Sequence, residues 1–90
     1  MLYAKIYKES GKTWEVYAVR EYEDRDGGDN LSVRVEQAED RKNYCEWILP
    51  DIFCCKSYGF SEDDEFYLES YLRDNEAIIW DDWKEAQAIA

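Results

Sequence analysis

Apolar residues recur at every second position in the first third of the chain. They do so from Leu2 to Lys8 and again from Thr13 to Tyr22, as in strands with one buried face. Turn-forming residues at 9–12 and 23–30 separate these runs from a third one over 31–37. The pattern predicts an antiparallel meander of three strands, at about 2–8, 13–22 and 31–37.

The apolar spacing becomes that of a helix after residue 39. Positions 44, 45, 48 and 49 share one helical face, which predicts a helix over about 40–49 that Pro50 ends or kinks. A second, short helix is expected over about 51–57. Ser61 is a suitable N-cap, and we expect a third helix over about 61–73 that ends before Asp74 and Asn75.

The C-terminal segment allows two interpretations. Apolar residues at 79, 80, 83, 86 and 90 favour a single helix over about 76–88, and the alternative is a short strand at 77–80 followed by a helix. Together the elements predict one domain over 1–90 with an α+β fold. Its three-stranded antiparallel β-meander is packed on one face by the C-terminal helices, which makes a two-layer sandwich.

Composition indicates a folded chain with a small core. Aromatic residues make up 17% of the 90 residues, and large rings supply much of the buried area in a small domain. No apolar run approaches the ~20 residues that a membrane helix needs, and the first residues lack the apolar stretch of a signal peptide. Three cysteines, two of them adjacent, do not indicate a disulfide framework. We expect a cytoplasmic protein with no membrane contact.

Signatures of catalysis or cofactor binding are missing from the sequence. The chain has no histidine and no C-x-x-C pair, so the commonest general base and the usual zinc ligands are lacking. Acids follow Gly27 and Gly28, unlike a phosphate-binding loop, and a calcium loop starting at Asp24 would place Val35 where a glutamate is needed. We predict no catalytic residue, no metal, no cofactor and no enzymatic activity. A small enzyme that uses carboxylates is a third hypothesis.

The net charge of −11 falls into two acidic segments. Residues 23–40 carry seven acids and two bases, residues 61–90 carry ten acids and two bases, and the rest of the chain is almost neutral. A surface of one sign attracts oppositely charged molecules and repels like-charged ones. Tyr3, Tyr7 and Tyr17 share one predicted sheet face and could stack bases, but the negative charge argues against direct nucleic acid binding.

The acidity suggests a function, which is our leading hypothesis. A non-enzymatic inhibitor would use this acidic surface to bind a basic protein, such as a nuclease or another nucleic-acid-processing effector. In size and composition the chain resembles the small acidic anti-CRISPR and anti-restriction inhibitors of phages and mobile elements, and no aligned motif assigns residues. The candidate partner-binding residues are Asp24, Asp26, Asp29, Glu62, Asp63, Asp64, Glu65, Tyr67, Glu69, Asp81 and Asp82.

Nucleic-acid mimicry sets a stricter requirement than acidity. A helix over 62–73 spans about 18 Å, and duplex DNA presents about ten charges over that length. The helix offers five acids. Mimicry therefore requires the two acidic segments to converge on one surface.

Aromatic residues support an alternative hypothesis, a small intracellular adaptor or regulatory module. The rings between residues 60 and 83 exceed what one helical stripe can bury, so some are expected at the surface as interface anchors. In this case Tyr67 or Trp83 recognises a partner or a second copy, and the acidity serves only solubility. Binding that weakens with salt favours the inhibitor, whereas binding that depends on a ring favours the adaptor.

Overall fold

A sheet of five antiparallel strands and one long helix make up residues 1–89, the part of the chain that the computed structural model describes. The predicted α+β class with an antiparallel sheet is confirmed, and the first three strands lie close to their predicted ranges. The strands follow the order of the sequence across the sheet. The elements are β1 (Leu2–Tyr7), β2 (Thr13–Glu23), β3 (Asp29–Gln37), β4 (Tyr44–Leu49), β5 (Phe53–Tyr58) and α1 (Glu62–Ile89).

The predicted helices over about 40–49 and 51–57 are wrong, because this part of the chain forms β4 and β5. The sheet therefore has five strands where three were predicted. In β4 the side chains of Cys45, Trp47 and Leu49 are buried, and those between them are half-buried. Burial at every second position is typical of a strand. The helical interpretation left out Trp47, whose burial reveals the shorter period. Pro50 follows the end of β4, not of a helix.

Helix α1 continues through the position where two helices were expected to meet. The predicted break at Asp74 and Asn75, and with it the separate helices over 61–73 and 76–88, is wrong. Asn75 Nδ2 donates a hydrogen bond to the Tyr71 carbonyl oxygen (2.9 Å), and Asn75 Oδ1 accepts one from the Tyr3 hydroxyl (3.0 Å). No glycine or proline occurs between 62 and 89 to interrupt the helix. The segment 77–80 is helical, so the short strand is wrong.

The helix packs along β2 on one face of the sheet. Tyr67 contacts Trp14 near the start of β2, and Trp83 Nε1 donates a hydrogen bond to Glu21 Oε1 (2.9 Å) near its end. A helix rises about 24 Å from Tyr67 to Trp83, and a strand rises about 23 Å from Trp14 to Glu21, so α1 follows β2 along its length. The core between the two layers consists of Ile6, Trp14, Val16, Ala18, Leu31, Val33, Val35, Cys45, Trp47, Leu49, Ile52, Leu68, Leu72, Ile79 and Trp83.

A register shift in the β1–β2 pair places Tyr3 on the helix side of the sheet. The Tyr3 ring packs against the core, and its hydroxyl reaches Asn75 in α1. The prediction that Tyr3 shares a sheet face with Tyr7 and Tyr17 is therefore wrong. A row of three tyrosines on which bases could stack does not form.

Candidate functional site

The sheet face that α1 leaves uncovered, here called the open face, carries a chain of ion pairs. Arg41, in the turn between β3 and β4, contacts Glu15 (Nη1 to Oε1, 2.6 Å) and Glu36 (Nη1 to Oε1, 2.8 Å). Arg34 contacts Glu36 (Nε to Oε2, 2.7 Å) and Glu46 (Nη1 to Oε1, 3.0 Å). The acids at the centre of the open face thus have basic partners inside the protein.

Glu15 is the most enclosed of these acids. Its side chain is 9% exposed, lies 3.7 Å from Lys5 Nζ, and accepts a hydrogen bond from the Tyr17 hydroxyl (3.0 Å). The contact with Arg41, and next the one with Tyr17, lowers the pKa of the Glu15 carboxyl below its ordinary value. Glu36 and Glu15 in turn raise the pKa of Arg41. The network is electrostatically self-contained.

Acids on α1 are in a different situation. The helix contains ten acids and two bases, and among the described residues only Glu69 of the ten lies within ion-pair distance of a base, Arg73 (Oε1 to Nη2, 2.9 Å). The other nine are Glu62, Asp63, Asp64, Glu65, Asp74, Glu76, Asp81, Asp82 and Glu85. The negative charge of the helix is thus left largely without internal counter-charge.

Three of these nine form a line along the outer side of α1, here called the outer acidic line. At 100° per residue, Asp63, Asp74 and Asp81 point within about 30° of the direction opposite the buried stripe of the helix. All three are exposed, and their separations along the helix axis are about 16.5 and 10.5 Å. Asp82 lies off this line, on the side of α1 that faces β1. The burial of Tyr3 and, to a lesser extent, the negative charge of Asp82 raise the pKa of the Tyr3 hydroxyl.

Two of the predicted site residues at the start of α1 have structural partners. Asp64 N donates a hydrogen bond to Ser61 Oγ (3.1 Å), and Ser61 N donates one to Asp64 Oδ2 (3.1 Å), which is a reciprocal capping arrangement. Glu65 Oε2 accepts a hydrogen bond from Ser57 Oγ of β5 (3.2 Å). Substituting Asp64 or Glu65 would therefore change the helix start as well as the charge.

Asp24 lies in the β2–β3 turn, and its carboxylate accepts hydrogen bonds from other residues of the same hairpin. Asp24 Oδ1 accepts hydrogen bonds from the backbone N–H groups of Asp26 (2.9 Å) and Gly28 (2.9 Å). Asp24 Oδ2 accepts one from Asn30 Nδ2 (3.1 Å), and this bond is the main cause that lowers the pKa of Asp24. Asp26 and Asp29 are exposed. Of the three candidates in and beside this turn, Asp24 has a structural role.

The β2–β3 turn lies toward the C-terminal end of α1. Glu21, near the end of β2, contacts Trp83 Nε1 (2.9 Å) and Lys84 Nζ (3.5 Å). Trp83 is about 31 Å along the helix from Glu62. The acids of the β2–β3 turn therefore do not join those at the N-terminal end of α1, and these two groups do not form the single acidic surface that mimicry of duplex DNA requires.

Tyr67 and Trp83, the aromatic candidates, both contact other side chains of the protein. The Tyr67 ring packs edge-on against Trp14 with 6.0 Å between ring centroids, and Lys8 Nζ lies 4.0 Å from the Tyr67 ring centroid. Trp83 is buried, with 8% of its surface exposed. Trp83 is therefore not the exposed anchor that the adaptor hypothesis requires, whereas Tyr67 keeps 44% of its surface exposed beside its contacts with Trp14 and Lys8.

A groove between β5 and the first half of α1, here called the β5 groove, brings acids and exposed rings together. Its volume is about 380 Å³. Phe53 and Phe66 line it and are 60% and 76% exposed. Glu62, Glu65 and Glu69 line it at i, i+3 and i+7 of the helix, a spacing that keeps them on one side. The remaining lining residues are Trp47, Ile52 and Cys54.

Sequence reasoning missed both phenylalanines of the β5 groove. Phe66 lies outside the stripe that Leu68 and Leu72 define, which is a signal that its ring does not face the core. Phe53 was placed on a helix that does not exist. Its position at the end of the β4–β5 turn follows only from the strand assignment.

Other site chemistry is sparse. Burial raises the pKa of the Cys45 thiol to about 12 and also raises the pKa values of Cys54 and Cys55, so reactive thiolates are disfavoured. Within residues 1–89 no group of three or more His, Cys, Asp or Glu side chains is placed to hold a metal ion. No helix in the described part of the chain combines the length and apolar character needed to cross a bilayer.

The eleven predicted site residues fall in separate places. Three of them, Glu62, Glu65 and Glu69, line the β5 groove, and two, Asp63 and Asp81, lie on the outer acidic line. Three more, Asp24, Asp26 and Asp29, lie in or beside the β2–β3 turn. Asp64, Tyr67 and Asp82 each lie elsewhere. The chain matches no protein-family model, no curated protein and no solved structure.

Proposed function

We propose that this protein is a non-enzymatic inhibitor that binds the basic surface of a nucleic-acid-processing protein. The observation that supports the proposal is the contrast in charge pairing. Nine of the ten acids on α1 lack a basic partner among the described residues, whereas Glu15, Glu36 and Glu46 on the open face are all paired. Unpaired surface charge of one sign speeds association with an oppositely charged partner and selects against others.

The charge density of α1 favours a protein partner over full mimicry of duplex DNA. The 28-residue helix is about 42 Å long and carries a net −8 from its ten acids and two bases, or one charge per about 5 Å. Duplex DNA carries one charge per about 1.7 Å. The helix therefore offers spaced contacts for individual lysines and arginines at a basic surface.

Charge reversal on the outer acidic line is the sharpest test. Asp63→Lys, Asp74→Lys and Asp81→Lys are combined, because these acids are exposed and have no ion-pair partner among residues 1–89. We expect the immobilised wild-type protein to retain basic nucleic-acid-binding proteins from a bacterial lysate and to release them with added duplex DNA or salt. The triple variant should retain none of them and keep the wild-type circular dichroism spectrum.

A variant with the same change in charge at another place serves as the control. Glu23→Lys, Asp26→Lys and Asp29→Lys reverse three acids in the β2–β3 turn and near it, and leave the structural Asp24 intact. We expect this variant to retain the same proteins as the wild type, with their nuclease or DNA-binding activity inhibited. The proposal is contradicted if the variant of the outer acidic line retains as much of these proteins as the wild type does. It is also contradicted if duplex DNA does not release the proteins that the wild type retains.

The exposure of Phe53 and Phe66 favours a second candidate function, a protein-protein adaptor that uses aromatic anchors. In that case Phe66→Ser abolishes partner retention, salt has little effect, and reversal of the outer acidic line leaves retention unchanged. The recovered partner need not be basic. The two sets of variants therefore separate the two functions.

A further inference from the structure

The protein already holds one arginine with an aromatic ring and two carboxylates. The Arg34 guanidinium carbon lies 3.7 Å from the Tyr44 ring centroid, and its nitrogens contact Glu36 (2.7 Å) and Glu46 (3.0 Å). This combination satisfies both the flat face of the guanidinium and its N–H groups. It is an internal example of how this chain binds an arginine side chain.

A second cation is held against the flank of α1 that faces the β1–β2 turn. Lys8 Nζ lies 4.0 Å from the Tyr67 ring centroid and 4.6 Å from that of Trp14. The opposite flank at the same level of the helix presents Phe66, which is 76% exposed. No basic side chain lines the β5 groove among the described residues, so the rings there have no internal cation.

The β5 groove repeats the chemistry of the Arg34 site and lacks the arginine. We propose that it receives an arginine side chain projecting from the basic partner, an inference that rests on the proposed function. Phe66 and Phe53 supply exposed ring faces, while Glu62 and Glu65 supply carboxylates. Glu69 contributes less, because Arg73 already contacts it at 2.9 Å.

Arginine suits this groove better than lysine does. A guanidinium is planar, stacks on rings, binds carboxylates through two parallel hydrogen bonds and loses its hydration more readily than an ammonium group. The groove is open and apolar on its floor, with Trp47 and Ile52, and acidic on its helix side. Its volume of about 380 Å³ lies in the range of ligand pockets, roughly 300–1,000 Å³.

Titration of the isotopically labelled protein by NMR tests the assignment. The probes are a pentapeptide with arginines at its second and fourth positions and the same peptide with citrulline, a neutral isostere, in place of arginine. We expect the arginine peptide to shift the amide signals of Cys54 and Phe66 and to leave that of Ala77, on the outer side of α1, unchanged. The citrulline peptide should cause no such shifts. A peptide with lysine in place of arginine should bind more weakly than the arginine peptide, by a factor of about three or more.

Adjacent acids provide a matched pair of variants. Glu62→Gln and Asp63→Asn remove one charge each from the first turn of α1, but Glu62 lines the β5 groove and Asp63 lies on the outer acidic line. We expect Glu62→Gln to weaken binding of the arginine peptide several-fold more than Asp63→Asn. Phe66→Ala should weaken it by about threefold to tenfold, whereas Tyr7→Ala, which removes a 75% exposed ring of β1, should have no effect.

Failure of this inference is distinguishable from failure of the proposed function. Equal effects of Glu62→Gln and Asp63→Asn, or equal binding of the arginine and citrulline peptides, overturn the arginine assignment. If reversal of the outer acidic line still abolishes partner retention in that case, the inhibitor function stands. If the groove selects arginine while that reversal leaves retention unchanged, the assignment stands and the inhibitor function falls.

Discussion

The open face of the sheet and the outer side of α1 are both rich in charge, but they use charge in opposite ways. On the open face Arg34 and Arg41 join three glutamates into one network with contacts of 2.6 to 3.0 Å. On α1 Glu69 is the one acid with a basic partner among the described residues. Acids on the open face therefore have counter-charges within the fold, whereas most acids on α1 have none and repel one another.

This difference teaches more about function than the net charge does. A net charge of −11 is compatible with an even distribution that only aids solubility. The structure instead gives the central acids of the open face basic partners, whereas nine acids without a basic partner among residues 1–89 lie along one element, α1. Repulsion along α1 costs stability, and that cost is understandable if the acids meet a partner's bases.

The comparison requires that α1 is held to the sheet mainly by its apolar side, and Leu72→Ala tests this with the largest expected effect. Leu72 is fully buried between the layers. Its truncation should lower the free energy of unfolding by about 2–5 kcal/mol, because both burial and packing are lost. Urea denaturation measures the change. Ser70→Ala, on the outer side, is the control, and equal effects of the two substitutions would contradict the packing.

Neutralising one acid on each surface addresses the comparison directly. Glu15→Gln removes the carboxylate that Arg41, Tyr17 and Lys5 contact, so it should lower the melting temperature. Asp81→Asn removes an acid with no basic partner among residues 1–89, and stability should stay within about 0.5 kcal/mol of wild type or rise. Thermal melts at pH 7 compare the two. A destabilising Asp81→Asn with a neutral Glu15→Gln would reverse the conclusion.

The pH dependence of the same pair follows from the lowered pKa of Glu15. A carboxyl whose pKa is lower in the folded than in the unfolded state contributes its full stabilisation above the unfolded value of about 4.3. That contribution is lost as pH falls through the folded value, because both states are then protonated. The difference in melting temperature between wild type and Glu15→Gln should therefore shrink from pH 7 toward pH 2. A difference that grows in acid would contradict the sign of the shift.

The parts of the fold that alternate over a long run were predictable from the sequence, and the others depended on distant contacts. In β2, the apolar residues Trp14, Val16 and Ala18 alternate with others, and this spacing alone predicts the buried face of the strand. Strand β5 is an edge strand with no fully buried residue, so its sequence has no alternation to detect. At Asn75, where the helix was predicted to end, the side chain accepts a hydrogen bond from the hydroxyl of Tyr3, 72 residues earlier.

The candidate site was predictable only as a list of acids. Residue type and segment charge selected Glu62, Glu65 and Glu69 as partner-binding candidates, and all three line the groove, but the groove also needs β5, which was assigned to a helix. Whether each acid has a basic partner depends on residues from elsewhere in the chain. Arg41, for example, lies in a turn and neutralises two glutamates on neighbouring strands, β2 and β3. Such pairing requires the register of the sheet, which the sequence pattern alone does not determine.

The smallest expected effect concerns the one ion pair on α1. The side chains of Glu69 and Arg73 are 44% and 63% exposed, so their contact competes with water and with dissolved ions. Glu69→Gln should lower the free energy of unfolding by about 0.3–0.5 kcal/mol at low salt. The loss should vanish in 1 M NaCl, where the Debye length is about 3 Å.

The double-mutant cycle of Arg34→Gln and Glu36→Gln on the open face serves as the reference, because these side chains are 30% and 17% exposed. Their coupling should persist in 1 M NaCl. If the Arg34–Glu36 coupling also disappears in 1 M NaCl, solvent screens the open face as strongly as the helix, and the two surfaces differ in the balance of their charges but not in the strength of their ion pairs.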